Sequence, residues 1–184
     1  TKDVIVEVAD QRARNTPVRI AVVDCRSRYD GSQFLNSTAT GRYADYITEE
    51  ILPTLTKKYA SPNIGASPVI AGHSSGGYGA LVLAIQQHDK FNAVVALSPD
   101  SNFDVTHRPL VEQPNVKAVK RADLDAAMAP AKEARLPKDG VARLVMGLCA
   151  NYAPTADKPG QFDWLYDDKG QFRDDVWKRW IDLD

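Results

Sequence analysis

Short apolar runs alternate with helical stripes through the first half of the chain. The runs cover residues 18–24, 68–71 and 91–97, and each is almost continuous in apolar residues. Such runs are typical of strands buried in a parallel sheet. Between them, apolar residues recur at helical spacing in 42–58 and 78–85. The alternation predicts β-α-β units and a mostly parallel, doubly wound sheet flanked by helices.

The pattern is less regular elsewhere. Residues 3–14 fit a helix or a strand, and we prefer the helix. Residues 25–40 form a long loop rich in Ser, Gly, Asn and Thr, and loops of this length commonly line sites. The remainder is interpreted as an insertion over the site followed by a closing helix. There we expect a loop at 102–114, a helix at 122–135 broken near Pro130, a strand at 142–149 and a helix at 174–181.

The turn after the second apolar run carries the motif G-x-S-x-G, formed by Gly72, Ser74 and Gly76. A strand, a tight turn and a helix are the context in which this motif is a nucleophile elbow. The turn exposes the serine hydroxyl, and the first amide of the following helix can bind an oxyanion. The sequence therefore predicts Ser74 as the nucleophile and the Ser75 amide as an oxyanion donor. The alternative is a glycine-rich turn whose serine only caps the helix.

Other polar residues lie near the same turn. Asp24 and Asp100 follow predicted strands, and ligands of doubly wound sheets bind at the carboxyl ends of strands. His73 adjoins Ser74, but neighbours on a tight turn point apart, so we interpret it as a packing or supporting residue. His88 ends the elbow helix, where a solvated cation is favoured.

Composition and charge exclude several classes of function. The chain has 23 Lys and Arg against 24 Asp and Glu, so nothing favours nucleic acid or an anionic membrane as a partner. The two cysteines and three histidines lack the spacing of a metal site, and we expect no metal and buried, structural cysteines. We expect no membrane span, because no apolar run reaches about 18 residues. The compartment is not fixed, with only a weak preference for the cytoplasm, and the oligomeric state is left open.

Five segments carry a resemblance to a known family: 31–37, 41–46, 49–53, 72–81 and 91–99. Together they resemble the putative esterase family of α/β-hydrolases, which includes esterase D-like, feruloyl and enterochelin esterases and mycolyltransferase relatives. The resemblance covers most of residues 18–100. It implies an α/β-hydrolase fold, a small-molecule ester as substrate and no cofactor.

Site residues follow from the same resemblance. It implies that Ser74 is the nucleophile and that the Ser75 amide is an oxyanion donor. It also places Asn36, Asp100 and Tyr152 near the substrate pocket.

The chain departs from the pattern of this fold in two ways. The acid and the histidine of such enzymes follow the serine in the order Ser, Asp, His. Downstream of the elbow stand only His88 and His107. A triad of His107 with Asp100 or Asp104 keeps the order but needs an unusual loop geometry. Also, only 17 residues precede the first predicted strand, too few for earlier strands and the second oxyanion donor.

These departures lead to an expectation about extent and activity. We expect residues 1–184 to be a single α/β-hydrolase domain that is an incomplete central portion, lacking N-terminal and C-terminal strands. The leading function is a serine esterase acting through an acyl-enzyme on Ser74, with the chain alone nearly inactive. The alternatives are an acyltransferase of the same family and a non-catalytic binding module on a hydrolase scaffold.

Overall fold

A computed structural model of the chain describes residues 5–7, 20–59 and 68–184. The strands of this part are β1 (Ile5–Glu7), β2 (Ile20–Val22), β3 (Asn36–Ser37), β4 (Gly41–Arg42), β5 (Val69–His73) and β6 (Ala93–Leu97). The first helices are α1 (Tyr43–Asp45), α2 (Leu52–Lys58) and α3 (Ser75–Gln86), with a π-helix (Tyr46–Ile51) joining α1 to α2. The later helices are α4 (Phe103–Thr106), α5 (Arg108–Val111), α6 (Pro114–Lys117), α7 (Arg121–Met128), α8 (Gly140–Tyr152) and α9 (Asp174–Ile181).

The strands pair two by two within the described residues. β5 and β6 are parallel, with Val69 opposite Ala93 and His73 opposite Leu97, and α3 connects them. β1 pairs with β2, and β3 with β4, in antiparallel fashion. The described chain therefore has mixed α/β content around a small parallel sheet. It does not show a complete α/β-hydrolase sheet.

Several predicted elements are confirmed. The parallel β5-α3-β6 unit lies where the apolar runs placed it, and α9 has the bounds expected for the closing helix. Residues 43–58 are helical throughout, although the middle of this segment is a π-helix. α7 ends at Met128, just before Pro130, which cannot donate the hydrogen bond that a continued helix needs.

Two predictions for the first strands are wrong. Ile5–Glu7 is a strand and not part of a helix, in line with the preference of β-branched residues for strands. The rest of segment 3–14 lies outside the described residues. Ile20–Val22 forms a strand, but it pairs antiparallel with β1 and not in a parallel sheet.

Two predictions for the second half are also wrong. Residues 142–149 belong to α8, not to a strand, and Asp139 caps that helix by accepting a hydrogen bond from the Ala142 amide. Nine of the thirteen residues of α8 are buried, so its sequence shows an apolar run and no clear helical stripe. The segment 102–114, expected as a loop, contains α4 and α5.

The main hydrophobic core surrounds α8. Val145, Met146 and Cys149 of this helix are fully buried, and large aromatic side chains pack around them. Tyr29, from the long loop 25–40, enters this core and its hydroxyl donates to the Gly160 carbonyl over 2.6 Å. A smaller cluster joins α1 and the π-helix to α3: Cys25, Tyr43, Ala44, Ile47 and Leu83. Both cysteines are buried, as expected for structural residues.

The contact between α8 and the long loop predicts a position-dependent effect of alanine. A Cβ on Gly147 would lie 2.5 Å from the Tyr29 carbonyl oxygen, whereas a Cβ on Gly140 would meet nothing within 4 Å. We expect Gly147→Ala to lower the free energy of unfolding by about 1–3 kcal/mol, as overpacking does. Gly140→Ala should change it by less than about 1 kcal/mol. Urea denaturation measures both, and equal effects would contradict this packing of α8 on the loop.

Candidate active site

Ser74 occupies the single-residue turn between β5 and α3. Its backbone has φ 55° and ψ −125°, a left-handed φ that costs a residue other than glycine about 1–3 kcal/mol. The turn is held from both sides. The Ser74 amide donates to the Leu97 carbonyl over 3.0 Å, and the Ser74 carbonyl accepts from the Tyr78 amide over 3.0 Å.

The glycines of the motif are required by close backbone approaches. A Cβ on Gly72 would lie 2.0 Å from the Gly76 carbonyl oxygen, which no side chain can tolerate. A Cβ on Gly77 would lie 3.1 Å from both the Leu97 carbonyl oxygen and the Pro99 Cα. The strand can therefore reverse into the helix within one residue, and the elbow can lie directly against the end of β6.

Asp100 is brought against Ser74 by the parallel pairing of β5 and β6. The Ser74 hydroxyl donates to Asp100 Oδ1 over 3.1 Å, and the Asp100 amide donates to the Ser74 carbonyl over 3.4 Å. Ser98 and Asn102, on either side, have φ of 42° and 53°. The loop after β6 is therefore strained like the elbow itself, a property that often accompanies functional sites.

His107 lies in the core, and among the described residues the Ser74 hydroxyl donates to Asp100 and not to His107. Its side chain is 5% exposed, its ring stacks on Phe103 at 4.4 Å between centroids, and its Nδ1 lies 2.7 Å from Thr106 Oγ1. Burial lowers the pKa of His107, and the Asp100 and Asp184 carboxylates oppose that shift. The imidazole is therefore neutral at pH 7.

The other members of the possible triad are engaged elsewhere. Asp100 accepts from Ser74 directly, and Asp104 accepts from the indole nitrogen of Trp177 over 3.1 Å. His88 is exposed, as expected for a residue at a helix end. His73 is exposed on the sheet and does not pack among the described residues, and its supporting role stays a prediction.

Asn36 and Tyr152 have defined structural partners. The Asn36 amide donates to Asp45 Oδ1 over 2.7 Å and accepts from the Asp45 backbone amide over 3.2 Å. The first of these bonds lowers the pKa of Asp45. Tyr152 is 2% exposed, and its hydroxyl lies 3.3 Å from Gln33 Oε1. Their places near the substrate therefore stay predictions.

Sequence reasoning missed two contacts around the elbow. The ring of Phe34 lies over Gly76 and Gly79 at the start of α3. Two features of the sequence could have indicated this contact: the long loop 25–40 and the unusual number of glycines in α3. The second contact is at residue Asp184, whose carboxylate accepts from the Phe103 amide over 2.7 Å and so caps α4, just after the Asp100 loop. No local sequence pattern predicts a contact between residues 81 positions apart.

Two adjoining cavities lie away from the elbow, between α7 and segment 162–173. Their volumes are about 240 and 400 Å³, and both are lined by Trp164 and Tyr166. Neither lining includes Ser74. In the part of the chain that the structure describes, no group of three or more His, Cys, Asp or Glu could hold a metal ion. No helix among those residues is long and apolar enough to cross a membrane.

Comparison with protein families gives one match. The model of the family described as "Putative esterase" matches residues 4–151, a span that includes Ser74, Ser75 and Asp100. Comparison with curated protein sequences finds no match.

The burial of His107 predicts how stability depends on pH. Because its folded pKa lies below the unfolded value of 6.5, the unfolded state binds more protons as pH falls, and stability decreases. We expect the wild type to lose more unfolding free energy between pH 7.5 and pH 5.5 than His107→Phe, which keeps a ring against Phe103. His88→Gln, at an exposed position, should follow the wild type. Urea denaturation across this range is the measurement, and parallel slopes for wild type and His107→Phe would refute the assignment.

Proposed function

The chain belongs to the putative esterase family, and we propose that it is a serine carboxylic-ester hydrolase acting through an acyl-enzyme on Ser74. Family membership makes it a hydrolase of small-molecule esters. The observation that carries the finer proposal is the geometry of Ser74. Its left-handed backbone lies at a strand-to-helix turn, and its hydroxyl donates to a carboxylate.

The reaction proposed for this site has two halves. Ser74 Oγ bonds to the ester carbonyl carbon, its proton passes to a base, and the carbonyl oxygen becomes an oxyanion. In this proposal the Ser75 amide, the first of α3, stabilises that oxyanion. Loss of one such donor costs about 10²–10³-fold in rate. The bond to the alcohol oxygen then breaks, and the alcohol leaves with the proton. Water attacks the acyl-enzyme in the same manner and releases the acid and free Ser74.

The base is the incomplete part of this site. Among the described residues, the group bonded to the Ser74 hydroxyl is the Asp100 carboxylate, and none of the three histidines is. We propose that the base is a histidine outside these 184 residues. Asp100 then holds the hydroxyl in place until that histidine is present.

Exposure of the β5–β6 sheet supports this proposal. The sheet face opposite α3 leaves Val69, Val95 and Leu97 exposed by 58%, 45% and 57%. Parallel sheets are normally covered on both faces. Further chain on this face would cover these side chains and extend the domain.

The role of Ser74 predicts covalent labelling. In the full-length natural protein, a fluorophosphonate should label Ser74, and Ser74→Ala should abolish the labelling. Ser101→Ala, at a nearby exposed serine, should be labelled like the wild type. Peptide mass spectrometry locates the adduct. A folded wild-type protein without an adduct at Ser74 would overturn the esterase proposal.

The same full-length protein can be used to determine whether water or an alcohol accepts the acyl group. Product analysis of an ester substrate with added alcohol should show the free acid as the main product. A new ester as the main product would instead identify an acyltransferase.

A base outside these 184 residues has consequences for the mass of the natural protein and for the activity of the 184-residue chain alone. Intact mass spectrometry of the natural protein should give a mass well above the 20.2 kDa of this chain. The 184-residue chain alone should hydrolyse esters more slowly than the natural protein by about 10⁴-fold or more, because losing a triad member costs a serine hydrolase this much. A natural protein of 20.2 kDa with full esterase activity would contradict the proposal.

A further inference from the structure

The ring of Phe34 lies along the first turns of α3. A Cβ on Gly79 would lie 2.6 Å from Phe34 Cβ, and a Cβ on Gly76 would lie 3.8 Å from Phe34 Cε2. The base of the side chain is therefore at Gly79 and the tip of the ring is at Gly76. Because α3 begins immediately after Ser74, the ring extends toward the nucleophile.

The backbone around Phe34 is fixed in a strained conformation. Gln33 and Phe34 have φ of 49° and 60°, two consecutive left-handed residues that are not glycine. Such conformations persist only where the surroundings hold them. Here the Phe34 amide donates to Ser32 Oγ over 3.2 Å, and Gln33 Oε1 accepts from the buried Tyr152 hydroxyl. The residue is thus held in place before any substrate arrives, and its side chain is only partly buried.

Phe34 and Asp100 lie on different sides of the helix. Gly76 and Gly79 face Phe34, whereas Gly77 faces Pro99, next to Asp100. With about 100° between successive residues of a helix, these two faces are roughly 130° apart. The nucleophile therefore has a polar side and an apolar side.

The two sides suit the two halves of an ester. The base that takes the Ser74 proton later returns it to the departing alcohol, so the alcohol leaves on the side of that base. In this proposal the outside histidine replaces Asp100 as the acceptor of the Ser74 hydroxyl bond, so that side is the side of Asp100. The acyl group stays bonded to Ser74 and must extend the other way. That direction leads over Gly76 to the ring of Phe34.

We propose that Phe34 forms the apolar wall of the acyl site and selects esters whose acyl group is a medium alkyl chain or an aromatic ring. This inference rests on the proposed acyl-enzyme at Ser74. A short acetyl group does not reach the ring and gains little from it, whereas a longer acyl group is removed from water against it.

The test compares acyl chain lengths in the full-length natural protein. For wild type, kcat/KM should be higher for p-nitrophenyl hexanoate than for p-nitrophenyl acetate. Phe34→Ala should lower the hexanoate value by about tenfold, mainly through KM, and change the acetate value by less than about threefold. Phe34→Leu should restore most of the hexanoate value. Ile85→Ala, at an exposed position near the other end of α3, should leave both values unchanged.

A second measurement does not depend on turnover. The sample is Ser74→Ala protein with ¹³C-labelled phenylalanine, and the Phe34 ring resonances are assigned as those that disappear in Phe34→Leu. Added p-nitrophenyl hexanoate should shift these resonances, and p-nitrophenyl acetate should not. This inference would be overturned if Phe34→Ala lowered kcat/KM equally for both esters, or if the hexanoate ester did not shift the Phe34 ring resonances. Either result would leave Ser74 as the proposed nucleophile. Failure of the fluorophosphonate to label Ser74 would instead overturn the proposed function.

Discussion

The close approach of Gly72 to the Gly76 carbonyl is the constraint on which the rest of the site depends. With no room for a Cβ at residue 72, the chain passes from strand to helix through one residue, Ser74. That residue then has to accept a left-handed φ of 55°. The cost, about 1–3 kcal/mol, is offset by the hydrogen bonds of the turn and by the burial of α3 against the sheet. The result is a Ser74 hydroxyl directly before the first residue of α3, where it donates to the Asp100 carboxylate.

Parallel pairing then decides which residues surround the turn. Since β5 and β6 run in the same direction and His73 lies opposite Leu97, their carboxyl ends coincide. Three residues beyond Leu97, the chain has reached Ser74, and Asp100 bonds to its hydroxyl. This arrangement follows from strand direction and register alone. It is why Asp100 could be expected at the site from the sequence.

Sequence patterns succeeded where the determining contacts are local and failed where they are distant. The elbow, α3 and β6 were predictable because a glycine motif and two short apolar segments specify them within 30 residues. α8 was mistaken for a strand because burial on nearly every side removes the helical stripe from its sequence. The buried place of His107 depends on Phe103 and on Trp180, 73 positions away, and no local pattern reveals such a contact. The Ser74 hydroxyl donates to a carboxylate and not to a histidine, and this too was visible only in the three-dimensional structure.

The glycines of the elbow helix have a consequence beyond closing the turn. Gly77 admits the end of β6 on one face of α3, and Gly76 and Gly79 admit the ring of Phe34 on another. Larger side chains at these positions would separate both neighbours from Ser74. The helix that follows Ser74 is therefore the element that sets a carboxylate on one side of it and an aromatic ring on the other. Under the proposed acyl-enzyme mechanism, one half of the substrate leaves and the other stays on Ser74. A polar side and an apolar side around Ser74 would then distinguish the two halves before any bond is broken.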